Sequence, residues 1–92
     1  MTKQERIALF QRAKKEIATL EKRYPGYPPF ESIQNQLQFL IDQCDVNTPD
    51  FVALAQINLG YLAMREVESR NDAIADLLYE VSAEVKAMQA GR

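Results

Sequence analysis

Apolar side chains recur every three or four positions along most of this chain, the spacing of one face of an α-helix. Four stretches carry the pattern. In the first, about residues 3–23, Ile7, Phe10, Ala13, Ile17, Leu20 and Tyr24 share a face. Thr2 and Glu5 form a capping-box pattern ahead of it, hydroxyl and carboxylate covering free N–H groups. Pro25 disfavours helical geometry at Tyr24 and ends the stretch. In the second, about 29–44, Phe30, Ile33, Leu37, Leu40, Ile41 and Cys44 make a stripe. Glu31, Gln34, Asn35, Gln38 and Asp42 lie opposite, so one face is expected to be buried.

The third stretch, about 49–67, is different. Thr48 suits an N-cap, Pro49 the first helical position, and Asp50 the positive end of the helix dipole. From Phe51 to Met64 there is no charge. A helix apolar nearly all round is buried on more than one side, so this one is expected at the centre. A glycine inside a helix costs about 1 kcal/mol against alanine, so Gly60 points to a close helix crossing. Asn58, if buried there, needs partners and would fix helix register. In the fourth stretch, about 72–89, Asn71 is the expected N-cap, and Ile74, Leu77, Leu78, Val81, Val85 and Met88 form the apolar face. Gly91 suits a stop.

Four helical patterns, three short connections and no strand-like alternation predict an all-α protein. The expected architecture is a small antiparallel four-helix bundle, with residues 1–92 as a single domain. The composition, 47% hydrophobic and 26% charged, is that of a folded chain. Histidine is absent, which removes the commonest general base and the His-containing nucleophile and metal arrangements. One cysteine, Cys44, permits no internal disulfide and reads as a small core residue in a reducing compartment. No stretch is long and apolar enough to span a membrane. With no signal peptide either, the expected location is the cytoplasm. No enzyme chemistry, cofactor or metal site is legible.

Charge is divided unevenly. Residues 1–23 hold seven basic and three acidic side chains, whereas residues 24–92 hold four and ten. A basic first helix lying beside acidic neighbours, with charges paired at the rim, is the expected account of this division; a basic anchor for nucleic acid or a membrane is the alternative. A net charge of −2 argues against nucleic acid as a partner. Asp72, Asp76, Glu80 and Glu84, four apart, form an acidic row suited either to solvent or to a basic cleft on another protein. Glu66 and Glu68 point in different directions, and Arg65 is expected to pair with a carboxylate on a neighbouring helix. Tyr24 and Tyr27 flank a proline-stiffened turn. Their rings either cap the core with wet hydroxyls or offer a partner a rigid aromatic contact.

Three segments carry a resemblance: Arg23-Tyr24-Pro25-Gly26-Tyr27, Asn35-Gln36-Leu37-Gln38-Phe39-Leu40, and the run from Ile57 to Glu68 beginning Ile57-Asn58-Leu59-Gly60-Tyr61. In this order and spacing they resemble the small helical immunity proteins of bacterial type VI secretion. The likeness is greatest to those that neutralise NAD(P)⁺-glycohydrolase toxins. It implies a four-helix protein that binds a cognate toxin domain in the cytoplasm and blocks its active site without catalysis. Leu37, Leu40, Ile57 and Tyr61 are expected to be scaffold. Because the apolar stripes belong to the core, partner contacts are expected from Glu31, Gln34, Gln38 and Asp42, from Asp72, Asp76, Glu80 and Glu84, and from Tyr24 and Tyr27. The alternative is a helical adaptor or oligomerisation module, and association with a second copy is left open.

Overall fold

Local signals start and stop the long helices. In the computed structural model, which describes residues 1–91, Thr2 caps helix α1, Lys3–Arg23. The Glu5 N–H donates to Thr2 Oγ1 (3.1 Å) and the Thr2 N–H donates back to Glu5 Oε1 (2.8 Å). The turn that follows needs a left-handed residue, and Gly26 supplies it with φ 75°. Pro28 and Pro29 then open helix α2, Pro28–Gln43, whose first turn has no use for their missing N–H groups. At the other end of the chain Asn71 caps helix α5, Asp72–Gln89, accepting from the Ile74 N–H at 3.0 Å.

The third stretch is not one helix. It breaks into α3, Phe51–Leu54, a turn, α4, Leu59–Leu62, and a π-helical turn over Ala63–Val67. Its cap is Asp50, which accepts from the Ala53 N–H (3.0 Å), so Thr48 is not the N-cap. The α-helical pattern is already lost at Gln56 and Ile57, whose N–H groups reach only three residues back, to Ala53 O (3.0 Å) and Leu54 O (3.2 Å), and α2 then holds the broken stretch. The Asn58 backbone N–H, which would continue α3, instead donates to Gln36 Oε1 of α2 at 3.0 Å. Likewise the Asp50 N–H donates to Gln43 Oε1, one heptad further along α2, at 2.8 Å. In the π-helical turn the Glu68 N–H reaches Ala63 O, five residues back, at 2.8 Å. Leu59, Ala63 and Val67 are all buried at a spacing of four. That spacing drifts by about 40° per step on an α-helix, and a wider turn takes up the drift.

Helix α1 packs on α2 and α5, and α4 with its π-helical turn lies against α5. The architecture is therefore the all-α antiparallel bundle expected, with a broken third member. Phe10, Ile17, Phe30, Leu37, Leu40, Leu54, Leu59 and Leu78 are fully buried at its centre. Each contributes about 1.5–3 kcal/mol of hydrophobic stabilisation. No polar side chain is buried among the described residues.

The uncharged stretch is not the centre. Phe51, Val52, Tyr61 and Met64 are exposed, Val52 at 77%. Tyr61 is thus no scaffold residue, and Ile57 is only half-buried. Asn58 is exposed, at the break rather than inside a helix. Among the described residues Arg65 pairs with no carboxylate; its guanidinium donates to the Tyr61 hydroxyl at 3.2 Å and lies over that ring. The close crossing at Gly60 is present: a Cβ there would stand 3.0 Å from Ser82 Oγ on α5.

Candidate functional site

Between α2 and the broken third stretch lies a groove of about 570 Å³. Pro28 and Phe39 of α2 and Ala53 and Ile57 of the opposite wall make its apolar surface. Glu31, Ser32, Asn35, Gln36 and Gln56 make its polar one. Gln36 belongs to the fold, since its amide also donates to Asn58 Oδ1 (2.7 Å) and Ser32 Oγ (3.2 Å). Glu31, Asn35 and Gln56 are exposed, with no side-chain partner among the described residues.

Of the four α2 residues expected to face a partner, only Glu31 lines this groove. Gln34 is drawn into the seam with α1, its amide donating to Lys14 O (2.9 Å) and Glu21 Oε1 (2.8 Å). Gln38 accepts from Lys14 Nζ at 2.6 Å and donates to Asp42 Oδ1 at 3.0 Å; both stay exposed. They bridge α1 and α2 at the surface, away from the groove.

The acidic row divides. Asp72, Asp76 and Glu80 are exposed on α5. Glu84 is not part of that free surface: Arg6 Nε and Nη2 hold its Oε1 at 2.6 and 2.5 Å, and its side chain is only 13% exposed. With Lys3–Asp45 (3.0 Å), this joins the basic first helix to acidic neighbours.

Tyr24 and Tyr27 hold the protein's own arginine. The Arg70 guanidinium lies 4.9 and 4.8 Å from their ring centres and 5.6 Å from that of Phe30. Tyr27 meets Phe30 edge-on at 5.0 Å, and Arg70 also donates to Glu66 O at 2.6 Å. The Tyr27 hydroxyl donates to the Glu66 carboxylate, a bond that raises its pKa. Glu68, pointing elsewhere, accepts from the Tyr79 hydroxyl at 2.6 Å. These groups brace the bundle end and leave no carboxylate pair.

A second cavity of about 340 Å³ lies among Lys3, Arg6, Cys44, Phe51 and Met88. Burial pushes the Cys44 thiol up, against the opposing pull of Arg6, and its S–H points at Leu40 O, 3.4 Å away. A thiol raised in this way is a poor nucleophile. Among the described residues no cluster of acidic or cysteine side chains could hold a metal ion, and no helix is long and apolar enough to cross a membrane.

The family model described as Tsi6 matches residues 5–87. The chain belongs to the Tsi6 family of type VI secretion immunity proteins. No curated protein and no solved structure matches it. The Tsi6 match spans both walls of the groove, the Arg70 cage and the acidic row. Sequence reasoning missed the Asn35, Gln56, Phe39 and Ile57 surface. For the Gln56 and Ile57 wall the signal was the uncharged run from Phe51 to Met64, which fits an exposed face as well as a doubly buried helix.

Proposed function

We propose that this chain protects its cell by binding a cognate toxin domain in the cytoplasm and covering that domain's active site, without catalysis of its own. The observation that carries the reading is the Tsi6 family match over residues 5–87. We infer further that the toxin is an NAD(P)⁺ glycohydrolase, on the likeness of the Tyr24–Tyr27, Asn35–Leu40 and Ile57–Glu68 segments to immunity proteins against such enzymes. Exposed Val52, Tyr61 and Met64 support a role in binding, since apolar side chains left in water gain from being covered.

Co-expression of the chain with the toxin encoded by the neighbouring reading frame tests this. A stable complex is expected, and the purified chain is expected to abolish NAD(P)⁺ hydrolysis at an equimolar ratio. Failure to form a complex overturns the immunity reading. A complex with a toxin that leaves NAD(P)⁺ intact overturns only the choice of reaction.

A further inference from the structure

We propose that the groove between α2 and α3 receives an extended segment of the toxin domain, with an aliphatic side chain set between Phe39 and Ile57 and an adjacent arginine or lysine paired with Glu31. This rests on the immunity reading and names the chemistry of the contact. Three observations carry it. Glu31 is the one charged side chain lining the groove, and no described residue pairs with it. A cation from outside therefore meets no competitor. Asn35 and Gln56 stand on opposite walls with their amides unpartnered among the described residues. Each offers both a donor and an acceptor, the complement of a peptide unit's C=O and N–H. A docked helix has its backbone groups already paired and could meet these amides only through side chains, so an extended segment is the better occupant. Finally, Phe39 and Ile57 are partly buried and packed on the core, giving a fixed apolar floor. A second copy of this chain fits less well. Its connector, Asp45-Val46-Asn47-Thr48-Pro49-Asp50, carries two carboxylates and no cation to offer Glu31.

The test is binding of the purified toxin domain to the wild-type chain and to two variants. Asn35→Trp fills the groove without removing a hydrogen bond, and Glu31→Arg reverses its charge. Both are expected to raise Kd at least tenfold, while Lys15→Gln, at an exposed position of α1, stays within twofold. Either groove variant falling short of tenfold overturns the proposal but leaves the immunity reading standing, because the wild type still binds. A wild-type chain that does not bind overturns both. Should Asn35→Trp not fold, as read by circular dichroism, Glu31→Arg decides alone. A photo-cross-linking side chain in place of Asn35 is expected to capture a toxin peptide with a basic residue beside an aliphatic one. Capture of a peptide without a basic residue overturns the assignment of the occupant.

Discussion

Gln36 and Asn58 grip each other through two hydrogen bonds across the space between α2 and α4. The Asn58 N–H donates to Gln36 Oε1 at 3.0 Å, and Gln36 Nε2 donates to Asn58 Oδ1 at 2.7 Å. One side chain thus does what a helical carbonyl would otherwise do for the Asn58 N–H. The third stretch is held in two pieces, and the groove lies between them and α2.

Removing this grip should loosen α4 locally. Gln36→Ala deletes both bonds, each contributing about 0.5–1.5 kcal/mol, and is expected to cost about 1–2 kcal/mol in denaturant melts. Asn58→Ala keeps the backbone bond and should cost less. Hydrogen exchange at the Asn58 amide provides the site-specific check: it should accelerate in Gln36→Ala and hold in Asn58→Ala. Equal exchange in the two variants would show that the glutamine does not hold the break.

Gly60 and Ser82 set a second relationship. A Cβ at Gly60 would stand 3.0 Å from Ser82 Oγ but 3.5 Å from Ser82 Cβ, so only the hydroxyl obstructs it. Gly60→Ala should therefore gain little alone. Combined with Ser82→Ala it should show a stabilisation approaching the 1 kcal/mol or so that alanine normally brings to a helix. Gly60→Leu overfills the crossing and should cost about 1–3 kcal/mol. Thermal melts of the two singles and the double decide this; strictly additive effects would mean that the serine does not restrain position 60.

The core offers a graded comparison. Leu37 is fully buried and Leu77 is 5% exposed, so Leu37→Ala and Leu77→Ala should each cost about 2–5 kcal/mol. Ile57 is half-buried against the groove. Its alanine variant should fall below that range while weakening toxin binding. Melts in which Ile57→Ala is the most damaging of the three would contradict this placement of the groove wall.

What was legible in the sequence follows the range of the interaction. Thr2 and Asn71 act within three residues, and the stripes of α1, α2 and α5 act through one helix period, so caps and faces could be read directly. The break before Asn58 could not, because the contact that holds it is with Gln36, 22 residues away. Absence of charge from Phe51 to Met64 signalled burial and exposure to a partner equally well. Spacing made Glu84 look like Asp76, yet Arg6, 78 residues away, takes only Glu84 out of solvent. For the same reason the Arg70 guanidinium against the rings of Tyr24 and Tyr27 could not be read, and Tyr24 stays exposed beside it.

Alkaline pH should expose the Tyr79–Glu68 bond. Donation to the Glu68 carboxylate pushes the Tyr79 pKa up to about 12, against about 10 in an unfolded chain. The raised value favours the neutral phenol, so its stabilisation is complete below pH 10 or so and is lost as pH rises towards about 12. Wild-type Tm should therefore fall more steeply over that interval than the Tm of Tyr79→Phe, which has no phenol to ionise. Parallel curves would mean that the bond does not persist in solution.

The acidic face of α5 should act on encounter rather than on lifetime. An NAD(P)⁺ cleft must attract phosphates, and a positive field there also attracts carboxylates. Asp72, Asp76 and Glu80 stand exposed on α5 and can supply that attraction. Glu84 cannot be reversed with them. It is held by Arg6 with little exposure, and losing a hydrogen bond between charged groups costs about 1.5–3 kcal/mol. The informative variant is therefore the triple Asp72→Lys, Asp76→Lys and Glu80→Lys. Its fold should be intact by circular dichroism. Its association with the toxin should be slower and less salt-dependent than wild type, because exposed charges set the approach and not the contact. Its dissociation rate should stay near wild type, whereas Glu31→Arg should speed dissociation. Stopped-flow mixing at two ionic strengths separates these effects. A triple variant that associates at the wild-type rate with the same salt slope would show that the row is only a solvated face. One that instead dissociates faster would place the α5 face inside the interface.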